Sequence, residues 1–64
     1  MTFDDLANFL LGRRMHLAVE WYPKERKWHA RIQDIDTGRS IVALDDRLDA
    51  AIERAVDVAR QVQP

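Results

Sequence analysis

The chain has 64 residues, a formal net charge of -1 and no cysteine. A chain this short makes one domain that buries only about 60% of the surface its unfolded form exposes, so stability is thin and a partner or self-association is expected. The lack of cysteine excludes a disulfide scaffold and thiol chemistry and fits a reducing compartment. No apolar run approaches the ~20 residues of a membrane helix, and the start "MTFDDLANFLLGRR" carries acids where a signal peptide would be basic. A cytoplasmic protein that does not enter a membrane is expected.

The N-terminal stretch reads as a helix of two to three turns. Thr2 is placed to cap it, Asp5 stands three residues on as a capping-box partner, and Phe3, Leu6 and Leu10 recur at helical spacing. Gly12 supplies a left-handed stop. Phe9 and Leu11 widen the apolar surface beyond one stripe, which predicts a well-buried helix or one that is partly an interface.

From Met15 the period changes to two. Leu17, Val19 and Trp21 point one way, and His16, Ala18, Glu20 and Tyr22 the other. A second run alternates Trp28, Ala30 and Ile32 against Lys27, His29, Arg31 and Gln33. A four-residue loop from Pro23 to Arg26 pairs Tyr22 with Lys27, and then Trp21 meets Trp28, Val19 meets Ala30 and Leu17 meets Ile32. A slip by one residue would set tryptophan against lysine, so the apolar faces select this register. Both tryptophans are thereby assigned to the core beneath the helices.

The segment "IDTGR" reads as a three-residue turn begun by Asp36, with Gly38 in the left-handed region and a glycine bulge. That register sets Ile32 against Val42 and Ala30 against Leu44, and leaves Ile35, Ile41, Tyr22 and Ala18 on the outer sheet face. The free edge of the third strand is a further pairing site. The C-terminal segment is the clearest element: Asp45 or Asp46 caps it, and Leu48, Ala51, Ile52, Ala55, Ala59 and Val62 form one helical stripe flanked by Val56 and Val58. The fold class is α+β, in the order α-β-β-β-α, a single domain over residues 1–64 with a three-stranded antiparallel meander and both helices packed on one face.

The charge is unevenly spread. Residues 1–12 hold two acids and no base, residues 13–39 seven bases and four acids, and residues 40–64 five acids and three bases. A general nucleic-acid binder carries a stronger basic excess. No catalytic motif is present: Ser40 is the only serine and stands in no nucleophile elbow. Glu20 could orient His29 or join it and His16 around a metal, but a metal needs at least three converging ligands, and an exposed cross-strand pair is the simpler reading. Asp34 and Asp36 form a D-x-D that could hold a divalent cation; a turn role for Asp36 is simpler. No enzymatic activity, cofactor or metal is expected.

Two surfaces compete as binding sites. Asp49, Glu53 and Asp57, spaced by four, make an acidic ridge on the last helix, extended by Asp45 and Asp46. Like charges at this spacing cost about 0.2–0.5 kcal/mol per pair, so a ridge that opposes stability points to another use, presenting carboxylates to a basic partner. The other surface is the basic hairpin, where Lys24, Arg26, Lys27 and Arg31 could meet phosphates, with His29 beside them and Tyr22 free to stack on a base.

The stretch "WHARIQDIDTGRSIVALDDRLDAAIERAVDVA" resembles the N-terminal β-β-β-α part of HicB-like antitoxins, through Trp28, Ala30, Asp34, Gly38, Leu48, Ala51, Ile52 and Ala55. The resemblance covers residues 28–59 and implies toxin neutralisation. It lacks that family's proline-glycine turn, fourth strand and DNA-binding appendage. The element order also resembles double-stranded RNA-binding domains and HicA-type toxins, but "LDDRLDAA" replaces the lysine-rich helix start of the former, and His29 in "RKWHARI" does not follow the glycine-serine pair of the latter.

The expectation is a small non-enzymatic binding protein that inhibits a partner through the acidic ridge, antitoxin-like or nuclease-inhibitor-like. The partner would be a protein with a basic surface, a nuclease or nucleic-acid-binding complex. A phage-encoded anti-CRISPR inhibitor of a host nucleic-acid-binding complex presents the same physics, a nucleic-acid-binding module using the hairpin is the alternative, and a homodimer is compatible with either.

Overall fold

The computed structural model describes residues 2–62. In chain order these form α1 (Phe3–Arg13), β1 (Met15–Tyr22), β2 (Lys27–Asp34), β3 (Ser40–Asp45) and α2 (Leu48–Val62). The three strands make one antiparallel sheet in the order β1-β2-β3. Both helices lie on one face: Leu6 and Phe9 of α1 join Ala51, Ala55, Val56 and Ala59 of α2 and Ala30, Ile32 and Ala43 of the sheet in a single apolar cluster. The expected α+β class and element order are therefore present.

The N-terminal cap forms as the sequence predicts. The Asp5 backbone N–H donates to the Thr2 hydroxyl, and the Thr2 N–H donates back to the Asp5 carboxylate. The two Thr2 groups, backbone first, hold the Asp5 carboxyl below its ordinary value. The end differs from expectation. Gly12 stays helical, and the left-handed residue is Arg14 (φ 54°), whose N–H returns to the Leu10 and Leu11 carbonyls. This extra length brings Met15 into register opposite Asp34 at the start of the sheet. Of the apolar residues of α1, Leu6 and Phe9 are buried and Leu10 is half-buried, while Phe3 and Leu11 face solvent.

The β1–β2 hairpin has the expected register throughout, with Pro23 to Arg26 as its loop and Tyr22 opposite Lys27. Arg26 takes a left-handed conformation (φ 54°), which lets its N–H reach the Tyr22 carbonyl at 2.8 Å. Trp21 and Trp28 face each other with ring centroids 5.3 Å apart and planes tilted by 53°, a favoured aromatic geometry. Trp21 is not beneath the helices, however: it remains 44% exposed, and Trp28 is half-buried.

The second turn corrects the register of β3. Asp34, rather than Asp36, starts it: its carboxylate accepts from the N–H groups of Asp36 and Thr37. The Asp34 N–H donates to the Arg39 carbonyl at 2.8 Å, so four residues, 35–38, close the loop in place of three. Gly38 is left-handed as expected (φ 76°). One added loop residue moves each partner by one, so Ile32 meets Ile41 and Ala30 meets Ala43. Ile41 and Ala43 thus face the helices, while Val42 and Leu44 turn to the outer face, the reverse of the expected arrangement.

α2 lies across β2 and β3 on the alanines of its stripe. Val56, expected at the flank, is fully buried, and Leu48 is partly exposed. The Val62 side chain lies outside the described ones. Neither Asp45 nor Asp46 caps α2 directly: the Ala51 N–H donates to the Arg47 carbonyl, and Asp45 accepts from the Arg47 N–H one step before the helix. Among the described residues, no helix is long and apolar enough to cross a membrane.

Candidate functional site

The helices run side by side, both ending over the Met15 end of the sheet. Toward their N-terminal ends they leave a shallow groove lined by Thr2, Phe3, Leu6, Asp49, Ile52 and Glu53. The floor is apolar and one rim is acidic. Phe3 stands 88% exposed at its mouth. Toward the other ends the helices are joined through Phe9, whose ring lies under the guanidinium groups of Arg13 (4.7 Å) and Arg60 (5.3 Å). Each such contact contributes on the order of 0.5–1 kcal/mol where it is exposed.

The acidic ridge divides on inspection of its members. Asp49, Glu53 and Asp57 are exposed on α2, and the first two line the groove that faces α1. Asp49 pairs with Arg47 at 3.1 Å, an exposed contact of little energetic weight. Asp45 belongs elsewhere: it continues the inward row of Ile41 and Ala43, opposite Trp28, and its side chain is only 17% exposed. Arg54 approaches it at 3.3 Å. A hydrogen bond with the Asp46 side chain, the N–H of Arg47 and the Arg54 charge hold the Asp45 carboxyl below the usual carboxylate range. Asp46 is exposed at the turn into α2. Asp45 thus ties α2 to the end of β3, and Asp46, Asp49, Glu53 and Asp57 form the part of the ridge that a partner can reach.

On the outer sheet face Glu20 stands opposite His29, as the register predicts. The contacts are different from the expected pair. His29 Nε2 meets Glu25 Oε2 at 2.8 Å, the Tyr22 ring stacks on His29 at 3.8 Å, and the Tyr22 hydroxyl donates to Glu20 at 3.2 Å. The Glu20 charge raises the Tyr22 phenol above its ordinary value. His29 therefore already occupies one face of the Tyr22 ring, and the phenol has already found its acceptor. Lys24, Arg26, Lys27 and Arg31 remain exposed.

Neither candidate cation site gains geometry. His16 lies toward the other end of the outer face, opposite Gln33, and no three His, Asp or Glu side chains among the described residues come together to hold a cation. Asp34 is engaged in its turn, and Asp36 makes a 3.4 Å ion pair with Arg14. The exposure of Phe3 and the groove it borders were missed by periodicity, which grouped Phe3 with the core. Its position as the first residue of α1 was the available signal, because a side chain there has no preceding turn to pack on.

Comparison with protein-family models, curated proteins and solved structures finds no match to this chain.

Proposed function

We propose that the protein is a non-enzymatic inhibitor that occupies a basic surface of a nuclease or nucleic-acid-binding complex. The supporting observation is the groove between α1 and α2, where Asp49 and Glu53 edge an apolar floor formed by Leu6 and Ile52, with Phe3 exposed beside it. Carboxylates favour encounter with a basic surface and fix orientation, while an exposed aromatic supplies the apolar anchor that gives an interface its affinity. Asp46, at the turn into α2, and Asp57, further along the helix, extend the charge. Antitoxin and anti-CRISPR inhibitors are both covered by this reading, since each would compete with nucleic acid for a cationic surface.

The test uses the tagged full chain in its native host. The reading expects capture of a basic protein that duplex DNA or RNA competitively releases. Changing Asp49, Glu53 and Asp57 together to serine should abolish capture while the circular dichroism spectrum is retained, and Phe3→Ala should weaken it at little cost to stability. Unchanged capture by both folded variants would remove the proposal.

A second reading, nucleic-acid binding by Lys24, Arg26, Lys27 and Arg31, draws on the exposure of these four cations along one hairpin. It predicts direct binding to duplex or single strands with steep salt dependence. Absence of binding at low salt would dispose of it.

A further inference from the structure

Independently of the groove, we infer that the open edge of β3 pairs with β3 of a second copy, extending the sheet to six strands. The hydrogen bond from Asp34 to Arg39 sets the phase of the β2–β3 ladder. Because bonded and non-bonded pairs alternate, the backbone groups of Arg39, Ile41, Ala43 and Asp45 turn to β2, and those of Ser40, Val42 and Leu44 turn to the open edge. An antiparallel partner about a twofold axis must bring outward groups to outward groups. Centring the axis on Val42 does so: Val42 meets Val42 and Ser40 meets Leu44, each pair exchanging backbone hydrogen bonds.

The same register sets Arg39 of each copy opposite Asp45 of the other, on the inner side of the sheet. Asp45 already meets Arg54 of its own chain, so the exposed Arg39 of the second copy would add a second cation beside that carboxylate, once at each end of the shared edge. A shift of the axis to Ala43 would instead set Ile41 against Asp45, and a half-step would oppose outward groups to groups already used by β2. Charge and hydrogen bonding therefore favour one register.

The helix layer fits this arrangement. Arg54 contacts Asp45 at the end of β3, which places its flank of α2 above the open edge, and Val58 lies one turn further along that flank, exposed. As α2 lies over β2 and β3, the two α2 helices would stand about two strand spacings apart, roughly 10 Å, close to ordinary helix packing distance. Val58 would be covered there. On the other side of the sheet Val42, 51% exposed, and Leu44 would form a continuous apolar strip across the axis.

Sedimentation velocity of the full chain over a range of concentrations up to millimolar tests this. A dimer is expected, in which the Val42 and Leu44 amides exchange slowly with solvent and become fast on dilution. Val42→Pro removes an outward N–H that no internal bond needs and should give a folded monomer, because proline is tolerated on an edge strand. Val42→Lys, a substitution at an exposed position, should do the same. A wild-type chain that stays monomeric throughout would overturn the inference, and so would a dimer with fast Val42 and Leu44 amides or one unchanged by Val42→Lys.

Discussion

The two halves of the sheet are covered to different depths. Beneath α2, Ala30, Ile32 and Ala43 are buried, and the helix meets them with Ala51, Ala55, Val56 and Ala59. Along β1 the cover fails: Val19 and Trp21, on the same inner face, stay substantially exposed. Length explains the difference. The 11 residues of α1 span about 16 Å and the eight residues of β1 about 26 Å, and both elements start from the Arg14 corner, so α1 stops short of Trp21. The half built from small side chains packs closely, and the half with larger ones keeps them partly open. Stability resides mainly in the first. The second leaves Val19 and Trp21 open at the N-terminal end of α2, the end at which Phe3 and the groove also lie.

Truncating one residue in each half should produce the largest contrast between them. Ile32→Ala removes a buried side chain and should cost about 2–5 kcal/mol, enough to unfold much of a domain whose core supplies only about 3–5 kcal/mol. Trp21→Ala, although it deletes more atoms, should cost less, because nearly half of that side chain already faces water. Urea denaturation followed by circular dichroism measures both. Equal losses would mean that α1 and the hairpin bury Trp21 in solution.

A smaller effect separates the helices themselves. Thr2→Ala removes the acceptor for the Asp5 N–H and should destabilise α1 by about 0.5–2 kcal/mol. Because α1 covers only part of one strand, the change should speed amide exchange in α1 before it reaches α2. Simultaneous loosening of both would show that the halves unfold as one unit.

The hairpin register and the capping box were legible because each was fixed by several residues at once: a slip in the hairpin would have mismatched three apolar pairs. The β3 register was not. The sequence "SIVALD" offers two apolar faces, Ile41 with Ala43 or Val42 with Leu44, and alternation alone favours the larger pair. The deciding facts are the Asp34 turn and the alanine stripe of α2, which needs the small Ala30 and Ala43 pair beneath it. Gly12 misled for a related reason: its lack of a Cβ permits a left-handed stop, but the stop falls at Arg14, where Met15 must enter the sheet. The acidic ridge was legible as spacing; the diversion of Asp45 to the helix side of the sheet was not, because it followed from the same register.

That diversion predicts a pH effect on the well-covered half. Asp45 has its pKa depressed in the folded chain, so its contribution is present above the ordinary carboxylate value of about 4 and is lost as pH falls through the lower folded value. Melting temperature should therefore fall on acidification below about pH 4. Asp45→Asn should lower it at neutral pH and flatten that acid slope by up to one proton. An unchanged slope would place Asp45 in water, with Arg54 no longer held against it.

The least-covered surface gives the smallest and most local test. Tyr22 is the only tyrosine of the chain, so phenolate absorbance reports its titration directly. Glu20 raises its pKa, which puts the midpoint above about 10, and Glu20→Gln should return it toward that value. The sign follows from the neutral phenol being the favoured folded form: the contribution is complete below about pH 10 and disappears as pH rises through the folded midpoint. Loss of the Tyr22 hydrogen bond leaves the His29 stack in place, so overall stability should hardly change at neutral pH. If the midpoint does not move in Glu20→Gln, Tyr22 is not engaged by Glu20, and its hydroxyl is open to a partner's acceptor, which would shift weight from the groove to the hairpin as the binding surface.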